Sequence, residues 1–267
     1  MSRQWVMIRG MMSESFHWWD FLPRLRETFP QDEIHTPDVL GTGRTGHLPT
    51  PLRLDRNVAA LREQVPSSGK KIIFGFSLGG ILGLEWAYQH PEEVEALILI
   101  NISLGNSPIY RRMRPGALRQ IARFSMVPPG VRRDELSLAM TTALENEKLR
   151  ELAPHWAKRA AEYPVRPMNF FAQVALAGRA KFRAEPPPVP LLMLASGQDQ
   201  VVHPECSNRI ANTWKVPLEL HPTAGHDLSL EQPEWILERL RNWQALSPDA
   251  QNFVDGRGHG QRHGVNP

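Results

Sequence analysis

Residues 74–80, with the sequence FGFSLGG, place a serine between glycines directly after a short apolar run. The run Lys71–Phe74 has the composition of a buried strand, and the pattern of Leu78–His90 predicts a helix. Ser77 and the glycines around it fit G-x-S-x-G, a sharp strand-to-helix turn that lifts a serine hydroxyl clear of a sheet. The glycines remove Cβ atoms that would collide with the neighbouring strand and helix. We therefore predict that this turn presents Ser77 for chemistry; a glycine-rich turn whose serine only caps the helix is the alternative.

Strands and helices alternate along most of the sequence, which predicts a parallel sheet covered by helices on both faces. The strand candidates are mostly continuous apolar runs, as expected for strands buried on both sides. They are Gln4–Ile8, Glu33–Thr36, Lys71–Phe74, Ala96–Ile100, Pro190–Ala195 and Pro217–His221. The amphipathic segments that we predict as helices lie around Trp18–Thr28, Pro51–Gln64, Leu78–His90, Cys206–Trp214 and Pro233–Leu246.

One long segment interrupts this alternation. Residues 104–185 have helical patterns and no strand candidate, and three prolines precede the strand that follows. We therefore predict a helical lid at 104–185, inserted between the two parts of a core, residues 1–103 and 186–247. Residues 248–267 are polar and glycine-rich, and we expect them to be disordered.

The composition disfavours several functional classes. Of the 267 residues, 41% are hydrophobic and 22% charged, which is ordinary for a globular protein. No run approaches eighteen apolar residues, so we expect no stable membrane insertion, and we expect no nucleic-acid partner. The N-terminus lacks the apolar stretch of a signal peptide, and the single cysteine, Cys206, fits a reducing compartment. The expected location is the cytoplasm.

A second glycine motif resembles a dinucleotide-binding sequence, but we do not expect it to bind a dinucleotide. Residues 41–46 fit G-x-G-x-x-G, the dinucleotide fingerprint, but that motif must open a helix, and Pro49 and Pro51 follow at once. The sequence also has no cluster of Cys, His or carboxylate residues with metal-ligand spacing. We therefore expect no cofactor and no metal.

A serine nucleophile needs a base to take its proton and an acid to orient that base. Asp199 follows the predicted strand Pro190–Ala195, and His226 follows the predicted strand Pro217–His221. Open α/β sheets place their sites in loops at the C-terminal ends of parallel strands, where both residues fall. The sequence predicts Ser77, His226 and Asp199 as a catalytic triad.

Five stretches carry a resemblance to a known family: FGFSLGG, HPEEVEALILI, SGQDQVV, AGHDLSLEQPE and PDVLGTGRTG. Together they resemble the α/β-hydrolase superfamily, specifically its lidded, serine esterase-like branch, from about Gln4 to Leu246. The resemblance implies the chain order Ser77, Asp199, His226 for the triad. Family members usually carry two strands before the first one seen here, one of them antiparallel. We therefore expect a reduced α/β-hydrolase fold with a wholly or mostly parallel sheet of six strands.

Two residues compete with Asp199 for the role of the acid. Asp227 adjoins His226 in the chain and cannot easily turn back to its ring, so we predict a surface or helix-start carboxylate. Some family members place the acid after the strand before the lid, where this chain has the uncharged Asn101. Asp199 is therefore the predicted acid.

The oxyanion loop departs from the family pattern. The first strand of family members ends in His-Gly, whereas this chain has Ile8-Arg9-Gly10-Met11. We expect the N–H groups of Met11 and Leu78 to form the oxyanion hole. Arg9 either holds this loop or meets a substrate anion, and we favour the first role.

Aromatic and sulfur-containing side chains after this loop and in the lid are candidates for an apolar substrate pocket, with core packing as the alternative for half or more of them. The predicted pocket residues are Gly10, Phe16, Trp18, Met126, Phe170 and Phe171.

The lid is rich in arginine: its first part carries Arg111, Arg112, Arg114, Arg119, Arg123, Arg132 and Arg133. A solvated surface is one explanation. An anionic partner, such as an acidic acyl chain, a lipid surface or an acyl-carrier protein, is the other. Pimeloyl-carrier-protein methyl esterases have the similar elbow GWSLGG and grip their carrier with lid arginines, a resemblance that assigns no individual contact here.

The predicted function is that of a serine hydrolase that cleaves a small carboxylic ester through an acyl-enzyme. The alternatives that keep the fold are a thioesterase, a carrier-protein methyl esterase, a carbon–carbon bond hydrolase, a lyase and a perhydrolase. A third class is a receptor that binds a ligand in the same pocket without turnover.

Overall fold

The computed structural model describes residues 2–243, the side chain of Phe124 excepted, so the predicted disorder of 248–267 lies outside the described residues. Its centre is a single sheet of six parallel strands in the order β2-β1-β3-β4-β5-β6. The strands are β1 Gln4–Ile8, β2 Glu33–His35, β3 Lys71–Phe76, β4 Val94–Ile100, β5 Leu191–Ser196 and β6 Leu218–His221. The predicted six-stranded parallel sheet is confirmed.

Strand residues alternate between two apolar clusters, one on each face of the sheet. Val6, Ile73 and Leu97 belong to the cluster on one face, where helices α2, α3 and α9 pack. Met7 and Phe74 belong to the cluster on the other face, which α1 and α11 cover. The four inner strands, β1, β3, β4 and β5, are mostly apolar because both of their faces are buried, whereas the edge strands β2 and β6 are partly exposed. The helices around the sheet are α1 Phe21–Thr28, α2 Leu54–Arg62, α3 Leu78–Gln89, α9 Glu205–Trp214, α10 Leu228–Glu231 and α11 Pro233–Asn242.

The first predicted helix begins later than expected. A 3-10 turn occupies Ser15–Trp18, and α1 starts only at Phe21. Between them, the backbone of Trp19 has a φ of 44°, in the left-handed region, which interrupts a right-handed helix. The apolar spacing around Trp18 therefore belongs to two short elements rather than to one helix.

Five helices lie between β4 and β5, as the prediction of an inserted helical segment requires. They are α4 Ile109–Arg112, α5 Pro115–Ser125, α6 Val131–Thr141, α7 Asn146–Glu162 and α8 Pro167–Gly178. A small apolar cluster of α6 and α7, which includes Leu138, Leu149 and Trp156, packs against Phe16 and Leu230 of the sheet domain. No helix within residues 2–243 is long and apolar enough to cross a lipid bilayer.

Candidate active site

Ser77 lies at the tip of the turn between β3 and α3. Its φ of 53° and ψ of −117° are unusual for a residue with a side chain, and strain of this kind costs on the order of 1–3 kcal/mol and clusters at functional sites. The neighbouring glycines explain how the turn can form. A Cβ on Gly75 would lie 2.5 Å from the Cα of Gly80, and one on Gly79 would lie 2.2 Å from the Ile8 carbonyl oxygen. The structure therefore agrees with the steric reason for these glycines.

The structure brings the three predicted triad residues together. His226 Nε2 lies 3.1 Å from the hydroxyl oxygen of Ser77, and His226 Nδ1 lies 2.6 Å from Asp199 Oδ2. A carboxylate can only accept, so the ring proton faces Asp199 and Nε2 is left to accept from the serine hydroxyl. Asp199 and His226 are both buried, at 1% and 5% exposure. This arrangement can withdraw a proton from Ser77.

Asp199 is fixed from its other side as well. Its Oδ1 accepts hydrogen bonds from the backbone N–H groups of Val201 and Val202, at 2.7 and 2.8 Å. These two hydrogen bonds fix the position of the carboxylate. Asp199 can therefore present its second oxygen to the imidazole in a constant orientation.

Asn101, the alternative position for the acid, holds the histidine by its backbone. The Asn101 side-chain amide donates to the carbonyl oxygen of His226 at 2.7 Å and to Ser196 Oγ at 3.0 Å. Its carbonyl oxygen accepts from Ser196 N at 2.9 Å. Asn101 also has a positive φ of 50°. An uncharged residue at this position therefore orients the loop of His226, a role that the sequence did not predict.

The two expected oxyanion donors lie at the edge of the same site. Leu78 is the first residue of α3, where N–H groups are free to bind an anion. A Cβ on Gly10 would lie 3.2 Å from the Cβ of Ser77, so the Gly10–Met11 segment passes directly beside the nucleophile. Within residues 2–243, neither Met11 N nor Leu78 N donates to another backbone or side-chain oxygen. Both groups are available to a substrate oxygen.

Arg9 points away from this opening and into the protein. Its guanidinium binds both carboxylate oxygens of Asp227, at 2.6 and 3.2 Å, and the Ser229 hydroxyl at 2.9 Å. Arg9 is 3% exposed and packs against the rings of Trp18 and Phe76. The structural role is therefore supported, and a contact with substrate is not. Asp227 begins α10 as predicted, but it is buried rather than on the surface.

The charges of this pair are stabilised by each other. Burial raises the pKa of Asp227, but the charge and hydrogen bonds of Arg9 outweigh burial and hold that pKa below its ordinary value. Glu231, four residues further on, forms no ion pair with a cation within residues 2–243. Burial raises the pKa of Glu231 to about 7, although its carboxylate accepts from the N–H of Gly225 at 2.9 Å. The burial of Asp227 and the partial burial of Glu231 could not be recognised from the sequence.

The predicted pocket residues are dispersed. Gly10 adjoins Ser77, whereas Trp18 is fully buried in the core against Phe21 and Phe74, which corrects its assignment to the pocket. The spacing of aromatic residues in the sequence does not distinguish a pocket residue from a core residue. Phe16 packs on the lid residue Trp156. The remaining three lie on lid helices or next to them: Met126 and Phe171 are 80% and 61% exposed, and Phe170 contacts Phe171.

One group within residues 2–243 has three side chains close enough together to hold a metal: His90, Glu92 and Glu93. Glu93 is already bound by Arg62 and by the indole N–H of Trp86. The group follows the C-terminal end of α3, whereas Ser77 precedes the N-terminal end of that helix. It is not part of the site around Ser77.

Comparison with known proteins places this site in a family context. The sequence matches the model of the family described as "Alpha/beta hydrolase family" over residues 5–239. Lipase LipV of Mycobacterium tuberculosis is 34% identical over 80 residues, 29% of this chain and 30% of that protein. The pimeloyl-[acyl-carrier protein] methyl ester esterase of Edwardsiella ictaluri is 28% identical over 134 residues, 50% of this chain and 43% of that protein. The chain thus matches less than half the length of each relative.

Solved structures share the fold at low sequence identity. A thermophilic esterase from Thermogutta terrifontis has a TM-score of 0.67 at 20% identity, over 92% of both chains. A hydrolase from Pseudomonas aeruginosa has a TM-score of 0.65 at 18% identity, over 89% of this chain and 88% of the other. At these identities the similarity concerns the fold alone.

Proposed function

The chain belongs to the alpha/beta hydrolase family, and we propose on that premise that it is a serine hydrolase that cleaves carboxylic esters. The observation that carries the proposal is the continuous hydrogen-bonded series from Ser77 through His226 to Asp199, with distances of 3.1 and 2.6 Å. A nucleophile, a base and an orienting acid in contact are the requirements for acyl transfer.

In the proposed reaction, Ser77 Oγ attacks the carbonyl carbon of the ester while His226 Nε2 takes its proton. The N–H groups of Met11 and Leu78 stabilise the oxyanion of the tetrahedral intermediate. His226 then gives the proton to the leaving alkoxide, and an acyl-enzyme and an alcohol result. Water, activated by His226, attacks the acyl-enzyme and releases the acid, and the proton returns to Ser77. No cofactor is required.

The proposal of an ester substrate rests on fewer observations than the proposal of the triad. The two relatives are named as a lipase and a methyl ester esterase, and the first structure compared is named as an esterase. A thioesterase, a carbon–carbon bond hydrolase or a lyase could use the same triad. A receptor that binds without turnover is disfavoured because all three triad residues are present and in contact.

A substrate panel separates these possibilities. Esters, thioesters and amides of increasing acyl length are offered to the wild-type protein and to Ser77→Ala. Hydrolysis of short and medium esters that is lost in Ser77→Ala supports the proposal. Turnover of thioesters alone points to a thioesterase. Turnover that survives in Ser77→Ala removes Ser77 from the mechanism.

The arginines of the lid support a second, narrower proposal, that the substrate or its carrier is anionic. Several of the seven lid arginines are engaged within the protein. Arg112 donates to the Ala177 carbonyl, Arg114 to the Asp199 carbonyl and Arg132 to Glu135. Arg119 and Arg123, one turn apart on the exposed face of α5, form no ion pair within residues 2–243. These two are free to bind an acidic acyl chain or an acyl-carrier protein.

Salt dependence tests this second proposal. Charge attraction at an exposed surface is screened within about 10 Å at 0.1 M salt. Activity on an anionic or carrier-bound ester should therefore fall between low salt and about 0.2 M, while a neutral short ester is spared. Replacing Arg119 and Arg123 with glutamine should reproduce that selective loss. Replacing the exposed Arg53 and Arg56 of the α2 region removes the same charge outside the lid and serves as the control. Equal salt responses for both substrates would contradict the proposal.

A further inference from the structure

The oxyanion loop contains a residue in an unfavourable conformation. Met12, directly after the expected donor Met11, has a φ of 61°, in the left-handed region that residues with a Cβ rarely occupy. Its N–H donates to the side-chain oxygen of Gln173 at 2.8 Å. Gln173 lies on α8, a helix of the lid, and is fully buried. A lid side chain thus holds the peptide that follows the expected oxyanion donor.

The orientation of the Gln173 amide is determined by its second contact. Its Nε2 lies 3.4 Å from the hydroxyl oxygen of Thr50, and that hydroxyl donates to the carbonyl oxygen of Leu40 at 2.6 Å. The hydroxyl has only one proton, so towards Gln173 it can only accept. The NH₂ group therefore faces Thr50, and the oxygen faces Met12.

A second helix of the lid holds the same loop two residues further on. Arg159 of α7 forms a two-pronged ion pair with Glu14, whose carboxylate is 5% exposed, and one of its contacts is 2.9 Å long. The loop between β1 and the 3-10 turn is therefore held by α8 at Met12 and by α7 at Glu14. Its conformation depends on the lid as well as on the sheet.

We propose that Gln173 is a positioning residue of the oxyanion hole, which holds Met12 in its left-handed conformation and so directs the N–H of Met11 at the substrate oxygen. This inference rests on the proposed function, because it assigns a role within the same hydrolytic site. Gln173 does not touch the reacting atoms; it acts through the backbone of Met11 and Met12. The inserted helix α8 then contributes to the catalytic site through the backbone of the oxyanion loop.

The chain offers a matched control on the same helix. Asn169 lies one turn before Gln173, is 3% exposed, and holds a different loop, through the N–H of Thr50 and the carbonyl of Leu48. A substitution of either residue removes a buried amide from the inner face of α8. Only a substitution of Gln173 removes the acceptor of Met12.

The test compares two variants, Gln173→Met and Asn169→Leu. The measurements are kcat and KM on a short ester and the inhibition constant of a trifluoromethyl ketone. This inhibitor forms a tetrahedral oxyanion on serine and therefore reports on the oxyanion hole. Loss of one oxyanion donor costs about a hundredfold to a thousandfold in kcat, so Gln173→Met should lose about a hundredfold. KM should change little, and the inhibition constant should rise by a similar factor to the loss in kcat. Gln173→Glu, protonated when buried, retains a carbonyl acceptor and should recover most of the activity.

Asn169→Leu removes a contact with the Thr50 backbone but leaves the Thr50 hydroxyl, its acceptor Leu40 and the Gln173 amide in the protein. It should therefore lose far less of kcat and of inhibitor affinity than Gln173→Met, even if its melting temperature falls. An unchanged kcat in Gln173→Met, or an equal loss in Asn169→Leu, would overturn the inference. If Gln173→Met does not fold, Thr50→Val provides the test, because it removes only the hydroxyl that orients the Gln173 amide. Thr50→Val should lower kcat and weaken inhibitor binding by similar factors. An unchanged kcat and inhibition constant in Thr50→Val would overturn the inference. A wild-type protein that a fluorophosphonate does not label at Ser77 would overturn the proposed function instead, before any variant is compared.

Discussion

The guanidinium of Arg9 forms a buried two-pronged ion pair with the carboxylate of Asp227, with contacts of 2.6 and 3.2 Å. Arg9 directly follows β1 and precedes the oxyanion loop, and Asp227 directly follows His226. The pair therefore joins the loop of the expected oxyanion donor to the loop of the expected base. This contact gives a physical reason for an arginine where family members have histidine.

Asp227→Asn should destabilise the protein strongly. It leaves the charge of Arg9 buried without an opposing carboxylate, with only the neutral Ser229 hydroxyl and the new amide beside it, and breaking a buried pair in this way costs about 3–5 kcal/mol. The free energy of unfolding, measured by urea denaturation, gives the loss. A change below about 1 kcal/mol would mean that Arg9 finds another partner or reaches water, since exposed pairs contribute about that much or less.

Asp199→Asn should instead affect the rate. The substitution preserves the shape of the side chain but removes the charge that orients and stabilises the imidazole of His226, so kcat should fall by about ten thousandfold. The measurement is kcat on the best ester of the panel. If Asp199→Asn has a kcat close to that of the wild type, and Asp227→Asn folds but has almost no activity, the acid has been assigned to the wrong residue.

Gly79→Ala should prevent normal folding. Its new Cβ would lie 2.2 Å from the carbonyl oxygen of Ile8 and 2.5 Å from that of Arg9, both of them backbone atoms. Gly116→Ala, in helix α5, is the control because, within residues 2–243, no atom other than those of its chain neighbours and of its own helix backbone lies within 4 Å of its Cβ position. Alanine there should be neutral or stabilise the protein by about 0.5–1 kcal/mol. Soluble yield and circular dichroism compare the two, and a well-folded Gly79→Ala protein would contradict the steric account of the elbow.

Most of the fold could be predicted from the sequence because both faces of the sheet are buried. Strands such as β3 and β4 are then continuous apolar runs, which are easy to distinguish from amphipathic helices. The local error around Trp18 arose because the positive φ of Trp19 has no signature in a sequence without glycine at that position.

The contact between Ser77, His226 and Asp199 could be predicted from local motifs, but the residues that hold these three in place could not. Gln173 and Met12 are 161 positions apart, and the contact of Arg9 with Asp227 spans 218 positions. Such contacts depend on how the lid and the loops pack, and a buried amide on a helix resembles an exposed one in sequence. The same limitation explains why Trp18, a core residue, was assigned to the pocket.

The burial of Glu231 predicts a pH-dependent contribution to stability. Its folded pKa, about 7, lies above the ordinary value of 4.5, so the folded state binds the proton more tightly. The favourable contribution is complete below pH 4.5 and is lost as the pH rises through 7, on the order of 3 kcal/mol in all. As the pH rises from 5 to 8, the free energy of unfolding of Glu231→Gln should therefore increase relative to that of the wild type. Urea unfolding of both proteins at several pH values gives the difference, and a constant difference across this range would contradict the burial of this carboxylate.

The most direct test of the account is the mass-spectrometric location of a fluorophosphonate adduct on the intact wild-type protein. In the proposed mechanism Ser77 is activated by His226, whose Nε2 lies 3.1 Å from the serine hydroxyl oxygen, and phosphonylation requires an activated serine. The account predicts a single adduct on the peptide that contains Ser77, no adduct in Ser77→Ala, and much slower labelling in Asp199→Asn. An adduct on another residue, or equal labelling of wild type and Ser77→Ala, would contradict it.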